Sequence, residues 1–507
     1  MDYQVNLLKA DGDQLSKKEL NSVYLSDMQF RPLKKEKDLG EGTVYIAGHD
    51  GPVIIHARIP VMDFGYVWVI ADNEGRGYAG EKVEIDFVKE AVFSRLAEIE
   101  NIRDSYSGEL SPKTAAHIEA AEKYLQLAQK EQGKEKNELY HRALSHGLQG
   151  GELALLEQAR DYKRSAPAPE LGCNAFRYEP GSDYASYFAD VFDFATLPFY
   201  LSEGLAEEKR GEPDYSKVDK ILSWCKEKGI TPKGHPLWWN HEAGTPSWLR
   251  EVNWETMKKE CVRTVKRSVE RYKDEIQIWD VVNEVHDWAN LNPLPREQLV
   301  EITKIACETA REANPDATLI VNNCLPFGEY AAQGLEVCPY SNLSEERELF
   351  SPLTFLEALI ENDVPFDVIG IQLYFPARDM VSISRLLDEY IKLGKPVHIT
   401  ELGVSSGDSH TDWQEVDSER TTYPTSHLYG TGTWHTEWEW SEKIQADWLE
   451  WFYTLAYSKE EIEAIIWWDL QDPAYVPNSG LIRENGIPKE AYFRLKECQK
   501  RWQGTER

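Results

Sequence analysis

The chain has 507 residues, 41% of them hydrophobic and 28% charged, which is enough apolar content to bury a large core and too much for broad disorder. A formal net charge of −31 repels nucleic-acid phosphates and anionic lipid, so no nucleic acid and no membrane is expected as a partner, while neutral substrates stay open. The start, MDYQVNLLKADGDQLSKKEL, has no basic segment leading into an apolar one, and the seven cysteines are scattered without CxxC spacing, as reduced core thiols are; the expectation is a cytoplasmic protein.

From about residue 41 to 90, short apolar runs stand between Gly, Asp and Asn: Val44-Tyr45-Ile46, Val53-Ile54-Ile55, Val67-Trp68-Val69-Ile70 and Val83-Glu84-Ile85. This spacing predicts a small β-rich accessory domain over 1–90. Gly75-Arg76-Gly77-Tyr78-Ala79-Gly80 fits GxGxxG, but Lys82 to Phe87 reads as a strand where a dinucleotide site needs a helix N-terminus, so a β-turn is expected there. Residues 91–168 change to Ala, Leu, Glu and Lys at helical spacing, as in Ile118, Ala121, Leu125 and Ala128, with Gly133, Gly147, Gly150 and Gly151 as breaks; this predicts a helical connector. Arg164 to Pro169 cannot continue a helix, because each proline lacks an amide donor and restricts the residue before it.

Over 169–507 short β-branched or aromatic runs alternate with longer amphipathic segments. Strands are expected at Cys173 to Phe176, Phe192 to Thr196, Thr231 to Leu237, Ile276 to Val282, Thr318 to Asn322, Val368 to Gln372, Val397 to Thr400 and Ala464 to Trp468. Helical periodicity is clear in Met257, Cys261, Val265, Val269 and Tyr272, and in Ile383, Leu386, Leu387 and Tyr390. Eight such units predict an α/β fold, a (β/α)8 TIM barrel; a doubly wound open sheet shares the alternation. The twelve histidines form no HExxH, no GxSxG elbow is present, and no cofactor and no metal is expected.

Two of these strands run into glutamates, Asn283-Glu284 and Thr400-Glu401-Leu402. Side chains at C-terminal strand ends of a barrel converge on one face, so the two can meet in one cleft. Hydrolysis of a glycosidic bond needs such a pair: one carboxyl protonates the leaving oxygen, the other attacks or activates water, and a separation of about 5 to 5.5 Å gives the retaining route. The plainer alternative is that each glutamate caps a helix or pairs with a lysine.

Trp279-Asp280-Val281-Val282-Asn283-Glu284 resembles the strand-four motif of glycoside hydrolase family 10, the retaining xylanases, and His398-Ile399-Thr400-Glu401-Leu402 its strand-seven motif. Lys233 to Trp239 resembles the strand-three segment, Gly370-Ile371-Gln372 strand six, Trp468 with Asp472 strand eight, and Pro488 to Tyr492 the final helix. The resemblance implies Glu284 as acid/base, Glu401 as nucleophile, and Asn283 as donor to the sugar 2-hydroxyl. It further implies His235 and Gln372 as groups holding the sugar or the nucleophile, and Trp239 and Trp468 as flat faces for pyranose C–H groups. Asn240 and Tyr374 stand where the family has histidines, the second of which touches the nucleophile, and both are counted as substrate-binding positions.

After strand two the family's Thr-Pro-Glu-Asn-Glu-Met-Lys is not evident. The chain reads Thr196 to Glu203, with Phe199 and Tyr200 expected to fill a rebuilt glycone pocket. The strand seven to strand eight connection carries Trp413, Tyr423, Tyr429, Trp434, Trp438 and Trp440, from which Trp434, Trp438 or Trp440 is expected to close over substrate; a self-packed aromatic excursion is the alternative. The expected activity is a retaining glycosidase cleaving xylan-type oligosaccharides or related β-glycosides, with an oligosaccharide or glycoside as its partner and no acid or base from the region before residue 165. A non-catalytic carbohydrate-binding barrel and a transglycosylase are the alternatives, and the sugar and endo or exo action stay open.

Overall fold

Two four-stranded sheets, three long helices and an eight-stranded barrel follow one another along the chain. The structure, a computed structural model, describes residues 2–80, 82–202, 207–241, 243–292, 294–333, 349–407, 433–435 and 440–505. Trp413, Tyr423, Tyr429, Trp438, Glu203 and Cys338 lie outside the described residues; the other six cysteines are free and buried.

The N-terminal strands are β1 (Asp2–Asn6), β2 (Tyr24–Asp27), β3 (Pro32–Leu33), β4 (Lys37–Leu39), β5 (Thr43–Ala47), β6 (Val53–Val61), β7 (Gly65–Ala71) and β8 (Lys82–Asp86). They form sheets of order β4-β5-β1-β8 and β3-β2-β6-β7. The four predicted runs are strands, but sheet structure begins at residue 2: β1 turns Tyr3 and Val5 inward and lies between β5 and β8. Gly75, Gly77 and Gly80 take positive φ and lead into β8, so the GxGxxG segment is a turn before a strand.

After α1 (Lys17–Asn21), the helices are α2 (Phe87–Ser105), α3 (Pro112–Ala128) and α4 (Gly133–Asp161). Gly147, Gly150 and Gly151 do not break α4, contrary to expectation. A Cβ on Gly150 would lie 3.0 Å from Ile118 Cγ1 and one on Gly151 3.1 Å from Arg95 Cδ, so these glycines let α2 and α3 approach. The cost of glycine inside a helix, about 1 kcal/mol each, is offset by that packing.

The barrel strands are β9 (Glu170–Asn174), β10 (Phe194–Pro198), β11 (Thr231–His235), β12 (Ile278–Asn283), β13 (Thr318–Asn323), β14 (Val368–Tyr374), β15 (Val397–Gly403) and β16 (Ile462–Trp467). They pair in parallel in chain order and β16 closes on β9, which excludes the open sheet. Helix Trp254–Tyr272 buries Met257, Cys261, Val265, Val269 and Tyr272, the predicted stripe, and Asn253 caps it by accepting from Thr256 N. No described helix is long and apolar enough to cross a membrane.

The N-terminal elements seat on the barrel through buried polar contacts. Trp68 N donates to Ala377 O at 2.7 Å, just beyond β14. Arg378 is fully buried between Glu329 (2.8 Å) and the Tyr24 hydroxyl (3.0 Å), with its guanidinium 3.8 Å from the Phe327 ring centroid. On α4 the buried Glu152 accepts from Met380 N (2.8 Å) and Trp434 Nε1 (2.9 Å) and meets His435 Nε2 at 2.7 Å. Tyr66 N donates to Thr433 Oγ1, and a Cβ on Gly65, φ 138°, would lie 2.1 Å from Thr433 O, so residues 433–435 are pressed onto β7 and α4. Trp434 and Trp440 therefore do not close over substrate. Trp434 sits edge-on to Trp451 at 4.9 Å and Trp440 packs on Phe375 at 4.8 Å, both buried, which favours the self-packed alternative for these two.

Glu152→Ala strips two buried N–H donors of their acceptor and is expected to cost about 3 kcal/mol of stability, read from urea unfolding. A loss below about 0.5 kcal/mol would show that the seat does not depend on this carboxylate.

Candidate active site

The loops beyond the C-terminal ends of β12 and β15 face one another across the barrel mouth, and the ladder is irregular there. Register shifts fall between Asp280 and Val282, between Ile371 and Gln372, and between Ile399 and Leu402. Such irregularities re-aim side chains that a regular strand would alternate. Glu284, one residue past β12, has φ 53°, a strained value for a residue with a Cβ, and its N–H is fixed by Asn322 O at 2.8 Å.

Amide groups join the two glutamates. Glu284 accepts from Gln372 Nε2 at 2.8 Å and from Trp239 Nε1 at 2.9 Å. Glu401 accepts from Asn322 Nδ2 at 3.0 Å and from the Tyr374 hydroxyl at 2.6 Å. Between them, Asn283 Oδ1 accepts from Asn322 Nδ2 at 2.7 Å and from Gln372 Nε2 at 3.2 Å. The run Glu401, Asn322, Asn283, Gln372, Glu284 is thus continuous, and with its oxygen occupied by two donors Asn283 meets its other neighbours, Glu284 among them, as a donor. Thr400 Oγ1 donates to Asn322 Oδ1 and fixes that amide's orientation.

Burial pushes the Glu284 carboxyl up to about 7, against hydrogen bonds from Gln372, Trp239 and Asn283 that favour the anion. Burial and then the charge of Glu284 push Glu401 well above the usual carboxylate range, against the Tyr374 hydroxyl and the Lys233 ammonium. Burial and the repulsion between the two thus act against both carboxyls being ionised at once.

Behind Glu401 lies a buried ionic group. Lys233 Nζ is 2.6 Å from Asp280 Oδ2, which also meets His235 Nδ1 at 2.7 Å, and all three residues are almost fully buried. Burial raises Asp280 and lowers His235; Lys233 and His235 outweigh the first effect and leave Asp280 below its usual range, while His235 stays neutral. A neutral ring that donates a hydrogen bond from Nδ1–H to the Asp280 carboxylate keeps a lone pair on Nε2, which lies 3.9 Å from Glu401 Oε1.

Of the residues singled out from sequence, Glu284, Glu401, His235, Trp239, Asn283, Gln372, Tyr374 and Trp468 come together here. Tyr374 makes to Glu401 the contact expected of the absent histidine. Trp239 departs from expectation: His241 stacks on it at 4.5 Å and 10°, and its indole N–H serves Glu284, so it is a hydrogen-bonding group more than a free apolar face. Trp468 stands edge-on to Phe176 (5.3 Å) and near His235 (5.4 Å). Asn240 is outside the amide run; its carbonyl accepts from Leu291 N, and its buried Nδ2 has no partner among the described residues. Phe199 does not fill the pocket: it is buried against Trp279, Tyr272 and Tyr215 on the outer side of the strands, whereas Tyr200 turns inward.

Asn322, Lys233, Asp280 and Phe176 were not recognised from sequence as site residues. A lysine and an aspartate inside two apolar strands were the available signal, because buried charges must pair; Asn322 gave none, as a polar strand end is ordinary. Among the described residues no group of three or more His, Cys, Asp or Glu could hold a metal ion.

A closed parallel barrel with paired carboxyls at its C-terminal face defines the class to which the comparisons point. The family model described as Glycosyl hydrolase family 10 matches residues 180–498, more than half of the chain, and the chain belongs to that family. It is 28% identical over 208 residues to endo-1,4-beta-xylanase B of Neocallimastix patriciarum, covering 39% of this chain and 22% of that protein. It is 28% identical over 309 residues to endo-1,4-beta-xylanase A of Caldicellulosiruptor saccharolyticus, covering 56% of this chain and 79% of that protein. Among solved structures, xylanase 10B from Thermotoga maritima is 20% identical with a TM-score of 0.49, covering 69% of this chain and 98% of that one. The chain spans 29% of endo-1,4-beta-xylanase 1 of Arabidopsis thaliana, so several curated relatives are much longer than the part it matches.

With Glu284 as the group that must be protonated, activity on an aryl glycoside falls as pH rises through about 7. Trp239→Phe removes a bond that favours the anion, so the alkaline limb of kcat/KM is expected to move up by about one pH unit. A limb that stays in place or moves down would detach Glu284 from it.

Proposed function

We propose that this chain is a retaining β-glycosidase of the xylanase type, acting on xylan-type oligosaccharides or related β-glycosides. The observation that carries the reading is the amide run that holds Glu284 and Glu401 in one buried unit. A binding site for neutral sugar has no need of two coupled carboxyls, whose burial is costly.

The chemistry balances within the chain's own groups. Glu401 attacks the anomeric carbon; a C–O ester bond forms as the glycosidic C–O bond breaks, and Glu284 gives its proton to the departing oxygen. Glu284, now a carboxylate, takes a proton from water whose oxygen attacks the same carbon, and Glu401 leaves, so the sugar keeps its β configuration. With the proton on Glu284, Glu401 is the ionised member, and Asn322 and Tyr374 donate to its two oxygens. The Asn283 amide, its oxygen held from both sides, donates to the 2-hydroxyl, a contact that strengthens as the oxocarbenium character develops. Lys233 and Asp280 position His235 and touch no substrate.

Hydrolysis of a panel of aryl β-glycosides tests the reading. Glu401→Gln should keep the fold, seen by circular dichroism, and abolish turnover, because an amide cannot form the glycosyl ester; activity within about tenfold of wild type would remove Glu401 from the mechanism. Glu284→Ala should cost about 10²- to 10⁴-fold on glycosides with poor leaving groups and far less on activated ones. Equal losses on both would refute its role as acid.

A further inference from the structure

We propose that the glycone side of the cleft is closed to a pocket for a single sugar by a wall of four aromatic side chains, with Tyr200 as the residue that determines it, so that the chain acts on terminal sugars; this rests on the glycosidase reading above. Ring centroids along the wall are 5.6 Å apart from Trp239 to Tyr200, 5.8 Å from Tyr200 to Phe176, and 5.3 Å from Phe176 to Trp468. Rings this close are in van der Waals contact, and a pyranose has no passage between them. The four residues follow β11, β10, β9 and β16, which are neighbours in the barrel, so the wall runs unbroken around that half of its mouth.

Bonds to the backbone hold the wall at both ends. Arg177, next to Phe176, donates to Gln471 O (2.8 Å) and Pro473 O (3.0 Å) beyond β16. Ser202 donates to Ala243 O, tying the segment after Tyr200 to the one after Trp239. The wall encloses His235, which has Tyr200 at 5.6 Å and Trp468 at 5.4 Å, both near edge-on. His235 Nε2 faces Glu401, so the sugar lodged against the wall is the one that Glu401 esterifies, which is the glycone. The Tyr200 hydroxyl makes no hydrogen bond to the described residues. Burial and the charges of Glu401, Glu284, Asp469 and Asp280 raise it far above its usual value, so it stays protonated and can donate to a sugar hydroxyl.

Nitrophenol release from 4-nitrophenyl β-xyloside and 4-nitrophenyl β-xylobioside separates a pocket from an open cleft. In a pocket the second xylose of the xylobioside cannot bind with the aryl bond at the carboxyls, so kcat/KM for nitrophenol release should be at least about tenfold higher from the xyloside. Tyr200→Ala should reduce or invert that ratio, while Tyr200→Phe, which keeps the ring, should preserve it; Phe176→Ala opens the wall from a second position should Tyr200→Ala fail to fold. Equal or faster release from the xylobioside by wild type would overturn the pocket and leave the glycosidase reading standing. If neither xyloside is turned over the xylose pocket falls, and the glycosidase reading falls with it only if the rest of the aryl glycoside panel is also inert.

Discussion

Two carboxyl groups buried beside each other cannot both carry charge cheaply, and much of the architecture around the barrel mouth answers that constraint. One proton must be kept and the remaining charge must be spread over donors. The four donors that meet Glu284 and Glu401 come from β13, β14 and the loop after β11, and Asn283 ties their amides together. Since Asn283 is the last residue of β12 and Glu284 the next, while Asn322, Gln372 and Glu401 stand on β13, β14 and β15, the register from β12 to β15 sets how the two carboxyls are held. A regular pleat would send half of these side chains outward; the shifts beside Asp280, Gln372 and Glu401 let consecutive polar residues serve one cleft.

The same constraint explains the buried Lys233, Asp280 and His235. A cation behind Glu401 offsets part of the cost of the anion that chemistry requires, and Asp280 prevents that cation from being stranded. Burial and the Lys233 charge lower His235 against the pull of Asp280, which favours the charged ring, so that it adds no second charge to compete for Glu401. The aromatic wall excludes water around this group and thereby strengthens every electrostatic contact inside it.

The N-terminal elements act at a distance from the carboxyls. Their buried contacts reach segments that follow barrel strands: Arg378 and Ala377 after β14, Glu329 after β13, and Thr433 to His435 ahead of β16. Loops beyond barrel strands are the least constrained part of such a fold, and here two sheets and a 29-residue helix brace them on one side. Glycines at 147, 150 and 151 are part of that bracing, because they bring α4 close to Arg95 and Ile118.

The sequence by itself determined the order of strands and helices, since period-two and helical spacing follow directly from backbone geometry and each barrel strand is a short apolar run bounded by polar residues. It also picked out the two glutamates, because Asn283-Glu284 and Thr400-Glu401 interrupt otherwise apolar runs, although β15 continues past the expected end at Thr400 and holds Glu401 within the strand. Closure of the barrel, the partnership of Tyr374 with Glu401, the amide run through Asn322, and the inward turn of Tyr200 beside an outward Phe199 were decided only in three dimensions. Each depends on register and on contacts between residues tens to hundreds of positions apart, which local spacing does not carry. The fate of Trp434 shows the limit most plainly: an indole in an aromatic-rich loop suits either a sugar or a core, and it was Glu152, 282 residues away in sequence, that took its N–H into the core.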